Sequence, residues 1–277
     1  MRFAGASRIS APGFKVSAPL GNHHADVKRL RALLRDRETR DQEGLVVCEG
    51  PRVIAAALDG QIGIHEVFVG VDASPAASAV AERAVEYFIP VRELAEGVAT
   101  RLSATTSAQG VFALVPFERS GVEAFRGATL VVVAPSLGDP GNAGTLIRSA
   151  AAAGAEIIVL GPGSVDAYNP KTVRASAGAC FAVKIVEGVP AVQALEALAS
   201  AGVRRVGALA AGGRAPEAID FTVPTAIVLG HEVHGLATDL PLDDRVTIPM
   251  RSAESLNVAM AGTLLMFEAA RQRRANP

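Results

Sequence analysis

Val27, Leu30, Leu33 and Leu34 recur at helical spacing, while Lys28, Arg29, Arg31, Arg35 and Arg37 occupy the remaining faces. This pattern predicts an amphipathic helix with a basic outer side. Short apolar runs and helical stretches alternate after it. Residues 45–48 predict a strand, 51–58 a helix with Pro51 in its first turn, and 64–69 a second strand. Residues 74–87 predict a helix, 89–91 a short strand, 93–102 another helix and 111–115 a closing strand. Such alternation implies a compact α/β domain over 25–116. Residues 1–24 are small, polar and non-periodic, which predicts a flexible arm.

The rhythm breaks at Glu118-Arg119-Ser120-Gly121, and residues 117–127 are the expected linker. A second α/β domain follows over 128–277, with strands predicted at 129–133, 157–160, 205–208, 226–229 and 245–248. Helices are predicted at 143–153, 170–177 and 192–201, with a final one at 257–274. Apolar residues form 49% of the chain but aromatics only 4%, with no Trp, so the cores must be built from Ala, Val, Leu and Ile. Cores of that kind suit helices stacked on a parallel sheet.

Cys48 and Cys180 stand alone without CxxC spacing, which indicates neither a zinc site nor a disulfide framework. A reducing cytoplasm is the expected location. No apolar run approaches the roughly 20 residues that span a bilayer, so no membrane partner is expected. The net charge of −1 argues against a non-specific polyanion binder and leaves room for a local basic face.

Three blocks in the second half carry the chemistry: Asp139-Pro140-Gly141-Asn142 through Arg148, Leu229-Gly230-His231-Glu232 through Leu236, and Ile248-Pro249-Met250 followed by Ser255-Leu256-Asn257-Val258. Each follows an apolar β-type run, where open α/β sheets place ligand loops. The first opens a helix whose free N–H groups favour an anion; an N-cap asparagine with a surface arginine is the plainer alternative. In the second, His231 and His234 are three residues apart and interrupted by glycine, which spoils a zincin arrangement, so no metal is expected. The third places a rigid apolar bend beside a polar helix start, suited to an adenine, although Ser255 or Asn257 could equally be a helix cap. No Walker sequence, no strand-linked Gly-x-Gly-x-x-Gly and no Gly-x-Ser-x-Gly elbow is present.

In order and position these blocks resemble the SpoU/TrmH family of RNA ribose 2′-O-methyltransferases. The stretch Asn169-Pro170-Lys171-Thr172-Val173-Arg174-Ala175-Ser176 is similar to a family segment between the first two motifs, and Glu49-Gly50-Pro51-Arg52 with residues 103–110 resembles the substrate-binding domain of ribosomal RNA-directed members. The chain departs from the pattern at His231, where asparagine or serine is common, and at Ala259, where serine is frequent. The resemblance implies S-adenosylmethionine as methyl donor, a deep trefoil knot, and a homodimer whose catalytic sites form near the subunit interface. It implies cofactor contacts from Leu229, Gly230, Ile248, Met250, Ser255 and Leu256, and a ribose surrounded by Asn142, Arg148, Glu232 and Asn257. Val258, Leu264, Leu265 and Phe267 are expected either at the dimer interface or in the core. Structured RNA, foremost 23S ribosomal RNA, would meet Lys28, Arg29, Arg31, Arg35, Arg37, Arg40 and Arg52 through phosphate contacts. A transfer RNA methyltransferase and a non-catalytic RNA-binding protein of the same fold are the competing readings.

Overall fold

The computed structural model describes residues 18–103, 108–231, 234–252 and 255–275. The chain forms two compact units, Met1–Phe117 and Glu118–Pro277. In the first, β1 (Leu45–Glu49), β2 (Glu66–Gly70), β3 (Val91–Leu94) and β4 (Val111–Pro116) form one sheet in the order β1-β4-β2-β3. β4 runs antiparallel to β1 and β2, while β2 and β3 are parallel. Helices α1 (Ala25–Arg35), α2 (Arg37–Glu43), α3 (Pro51–Asp59), α4 (Pro75–Glu86) and α5 (Val98–Leu102) accompany it.

The periodic apolar positions of α1 decide its packing. Val27, Leu30 and Leu33 are buried with Val47, Phe68, Leu94 and Phe112, each large side chain stabilising the unit by about 1.5–3 kcal/mol. Asp36 ends α1 and starts α2, its carboxylate accepting from Thr39 N at 2.8 Å. Leu20, within the stretch expected to be a loose arm, is 3% exposed and bridges Leu94, so ordered packing begins before α1; residues 1–17 lie outside the described residues.

Two expected elements are displaced. The strand expected at 89–91 lies at Val91–Leu94, and the helix expected at 93–102 is reduced to Val98–Leu102. Parallel pairing with β2 takes Val91 to Leu94, overriding the helical tendency of Glu93-Leu94-Ala95.

The second unit holds β5 (Leu130–Ala134), β6 (Ile157–Leu160), β7 (Lys184–Glu187), β8 (Arg204–Ala208), β9 (Thr225–Val228) and β10 (Asp244–Val246). They make one wholly parallel sheet in the order β10-β8-β9-β5-β6-β7. β7 escaped the sequence pattern because its four residues, Lys184-Ile185-Val186-Glu187, have charged ends and too short a run. Helices α6 (Pro140–Ala153), α7 (Pro170–Ala175), α8 (Ala191–Ser200) and α9 (Val258–Ala275) complete the unit. Leu195 and Leu198 of α8 pack with Val131, Val159 and Val228 of the sheet.

The segment expected as a linker is itself packed on this unit. Ser120 bridges Val186, Val122–Phe125 forms a 3-10 turn, and Arg119 pairs with Glu187 and, at 3.2 Å, with Asp166. Among the described residues no helix is long and apolar enough to cross a membrane.

Candidate functional site

In a parallel sheet every strand delivers its following loop to the same edge. Here β8, β9 and β10 are neighbours, so the segments after Ala208, Val228 and Val246 converge although they are distant in sequence. Between them and the start of α9 lies a cavity of about 480 Å³, a size suited to a small organic ligand. Leu229, Gly230, Ile248, Met250, Ser255 and Leu256 all line it, as does Asn257. Ala208, Leu209, Ala210, Val246 and Ala261 complete much of the wall and were not anticipated. For the first three the signal was in the sequence: the run Ala208 to Gly213, rich in small residues, follows an apolar strand, as the recognised blocks do.

The described ends of the loop after β9 are held together. His231 N donates to Gly235 O at 2.7 Å, and Gly235 N donates back to His231 O at 2.9 Å. Gly235 has φ +67, and a Cβ on Gly230 would lie 2.7 Å from Gly235 C and 2.8 Å from Leu236 N. Glycine at 230 is therefore what allows the loop to fold back on itself. Glu232, expected near the reacting group, lies outside the described residues. His231 lines the cavity, and its ring lies against that of His234, with centroids 4.9 Å apart.

The helix α6 starts earlier than its pattern suggested. Pro140 is in its first turn and Asp139 is the cap, accepting from Asn142 N at 2.7 Å. With capping done by Asp139, the Asn142 side chain reaches across 115 positions of sequence: its Oδ1 accepts from Asn257 Nδ2 at 3.0 Å. Asn257 Oδ1 in turn accepts from Ala259 N at 2.9 Å and Met260 N at 3.4 Å at the start of α9. The cap consumes the amide oxygen, which turns the amide nitrogen toward Asn142. One residue thus serves both as helix cap and as part of the polar pair.

A close approach fixes the start of α6 from the other side, because a Cβ on Gly144 would stand 2.7 Å from Ser176 N just after α7. This gives the Asn169 to Ser176 segment a packing role. Arg148 is exposed on α6 and does not line the cavity; it has no hydrogen-bond or ion-pair partner among the described residues. Six residues separate it from Asn142, about 9 Å along the axis.

Of the basic residues chosen on α1 to α3, one is buried and several are paired. Arg40 is 2% exposed and donates to Leu33 O at 2.8 Å, so as an RNA contact it is corrected: the side chain is structural. Arg29 pairs with Glu43 at 2.6 Å, and Arg31 donates to Asn22 Oδ1 at 2.7 Å. Arg37 reaches Asp41 at 3.4 Å. Lys28, Arg35 and Arg52 are exposed.

On α9, Val258 and Leu265 are buried in the core, whereas Leu264 is 51% and Phe267 44% exposed. Met260, 50% exposed, joins the outward pair. Cys180 is fully buried and burial pushes its thiol up to about 12. Among the described residues no group of three or more His, Cys, Asp or Glu is placed to hold a metal ion.

Both units of the chain are similar to known proteins. Residues 129–267 match the SpoU rRNA Methylase family, and residues 24–113 match the MRM3-like substrate binding domain. An uncharacterized tRNA/rRNA methyltransferase of Mycobacterium tuberculosis is 30% identical over 269 residues, covering 93% of this chain and 83% of the relative. The SpoU methyltransferase AviRb from Streptomyces viridochromogenes, solved in complex with the cofactor AdoMet, superposes with a TM-score of 0.74 at 30% identity, covering 91% of this chain and 100% of that one. A solved RNA 2′-O ribose methyltransferase gives a TM-score of 0.74 at 28% identity, covering 92% and 99%.

Proposed function

Because the chain belongs to the SpoU rRNA methylase family of S-adenosylmethionine-dependent RNA methyltransferases, we propose that it methylates a ribose 2′-OH of ribosomal RNA, foremost 23S ribosomal RNA, in the cytoplasm. The observation that carries this reading is the joining of Asn142 to Asn257 beside a cavity lined by all six expected cofactor contacts. A ribose 2′-O site is supported by the similar fold of a protein known as an RNA 2′-O ribose methyltransferase. Ribosomal RNA is favoured by the substrate binding domain at 24–113.

The residues present fit the cofactor. Leu229, Ile248, Met250 and Leu256 supply apolar walls for a purine, and Ser255 and the loop backbone supply polar partners for its edge. When bound, S-adenosylmethionine supplies an electrophilic methyl group on a sulfonium. Asn142 and Asn257 then orient the ribose; Glu232, outside the described residues, is assigned to it by the family motif alone. Arg148, exposed on α6, takes a backbone phosphate, which its forked guanidinium suits. Fixing the hydroxyl against the methyl is the main contribution of these side chains.

The chain behind the cavity is proposed to thread as a trefoil knot, and two copies to pair through the α9 face of Met260, Leu264 and Phe267. Exposed apolar side chains spaced along one face of a helix favour such pairing. Phe267→Glu is expected to leave a folded monomer by sedimentation; an unchanged mass would remove that face from the interface.

The test is transfer of labelled methyl from S-adenosylmethionine to separate pools of unmodified ribosomal and transfer RNA, with the label mapped to base or ribose. Ribose label in ribosomal RNA that disappears with Arg148→Ala is the expected result. Label confined to transfer RNA overturns the substrate, and label on a base overturns the reaction.

A further inference from the structure

The hydrogen bond between Asn142 and Asn257 joins the starts of two helices where solvent reaches it. Water competes for such a bond, so it fixes little by itself. Its geometry is set by how α6 and α9 are held along the rest of their contact.

That contact is built on one face of α6. Asn142, Leu146 and Ser149 follow at i, i+4 and i+7 and so lie in line. Each meets its own partner from α9. Asn142 accepts from Asn257, a Cβ on Gly262 would lie 2.7 Å from Leu146 Cδ1, and Thr263 Oγ1 stands 2.8 Å from Ser149 Oγ. Leu146 and Gly262 are buried, while Ser149 and Thr263 are half-buried. Ser149 is about 10 Å along α6 from Asn142, and Thr263 about 9 Å along from Asn257, so the polar contacts mark two ends of one helix crossing.

Thr263 also connects the two ends. Its hydroxyl donates to Ala259 O at 2.7 Å, and Ala259 N donates to Asn257 Oδ1 at 2.9 Å. A hydroxyl has a single hydrogen, so Ser149 supplies the one between the two hydroxyls. The bonds therefore run from Ser149 through Thr263, Ala259 and Asn257 back to Asn142 on the same helix. Members of such a chain restrict one another more than isolated pairs do. Gly262 brings the crossing against the cofactor wall, because its Cβ would also lie 2.9 Å from Leu229 Cδ1, and Leu229 lines the cavity. Arg148 directly precedes Ser149, so a slip of α6 on α9 would carry Arg148 and Asn142 together.

We propose, on the ribose 2′-O reading above, that Ser149 and Thr263 are positioning residues for methyl transfer. Their contact fixes the register of α6 on α9 and through it aims Asn142 at the ribose. Neither lines the cavity. A contact that served packing alone would change the stability of the fold and leave the rate of the folded enzyme as it was.

The test is single-turnover methyl transfer to ribosomal RNA, at saturating S-adenosylmethionine and RNA, by the full chain and its variants. These are Thr263→Val, Thr263→Ser, Ser149→Ala, Asn142→Ala and Thr263→Val combined with Asn142→Ala. Calorimetric affinity for S-adenosylhomocysteine and urea denaturation are measured for each. Thr263→Val keeps the side chain's shape without its hydroxyl; it should lose about 10-fold in rate with S-adenosylhomocysteine affinity within about twofold of wild type. Thr263→Ser should restore the rate to within about twofold, and Ser149→Ala should match Thr263→Val. In the Asn142→Ala background Thr263→Val should cost less than about twofold, because a hydroxyl that acts through Asn142 then has nothing left to aim. Lower urea stability at an unchanged rate, losses that multiply in the double variant, or a loss explained wholly by weaker S-adenosylhomocysteine binding overturns the assignment. Label on a base, or an Asn142→Ala rate equal to wild type, overturns the reading of Asn142 at the ribose and this inference with it. Ribose label that falls in Asn142→Ala but not in Thr263→Val or Ser149→Ala overturns the inference alone.

Discussion

At the cavity, the converging groups are backbone and short side chains fixed at the ends of β8, β9 and β10 and the start of α9. On α1 and α2 the polar groups are long cations on flexible stems, and several of them are taken up by Glu43, Asn22, Asp41 or the Leu33 carbonyl. A sheet edge leaves its loop groups little choice of position, so a cluster in sequence becomes a cluster in space. A cation on a helix has many rotamers and goes to the best neighbour available. Ligand sites made of backbone are therefore fixed by the fold, while charged surfaces depend on every nearby carboxylate.

The sharpest way to break this contrast is Gly230→Val. A side chain there must displace Gly235 and Leu236, and affinity for S-adenosylmethionine should fall by more than about 100-fold, or roughly 3 kcal/mol, by calorimetry. Retained affinity would show that the tight loop is dispensable. Asn142→Ala should leave cofactor affinity near wild type and lower methyl transfer by about 10- to 100-fold, because only the orientation of the substrate is lost. Asn257→Ala should add to that a loss of about 1 kcal/mol in urea denaturation, the cost of an absent helix cap.

In the first unit the expected effects are smaller and differ in kind. Arg40→Ala should destabilise by about 1–3 kcal/mol, through lost packing and an unsatisfied Leu33 carbonyl, with RNA affinity of the folded protein unchanged. Lys28→Ala with Arg35→Ala should do the reverse: melting unchanged, RNA affinity several-fold weaker, and a shallower dependence of binding on salt. If the pair alters stability and Arg40 alters affinity, the division drawn between these cations is wrong.

The smallest effect concerns the ion pair beside the cavity strands. Hydrogen bonds from Arg205 hold the Asp243 carboxyl below its ordinary value. A depressed carboxyl stabilises the fold above its unfolded pKa, near 3.8, and that contribution is lost as pH falls through the folded value. Asp243→Asn should thus cost less than about 1 kcal/mol at pH 7, since the pair is partly exposed. The difference from wild type should vanish in acid; a difference that grows in acid would contradict the sign.

Periodicity alone determined much of this protein: the alternation of strands and helices, the buried face of α1, and the ligand blocks placed just after apolar strands. The physical reason is that side-chain period and turn chemistry are local properties of the chain. Tertiary structure decided what depends on neighbours. Parallel pairing with β2 made a strand of Val91 to Leu94, and β6 recruited the short Lys184 to Glu187 segment. Asp139 took the capping role and left Asn142 to meet Asn257, a contact between residues 115 apart in sequence. Arg40 was drawn inward because the Leu33 carbonyl and its apolar surroundings offered the stem and the guanidinium more than solvent did. Which polar group finds which partner is settled only when the chain has folded, because a hydrogen bond or ion pair counts relative to water and to every competing neighbour.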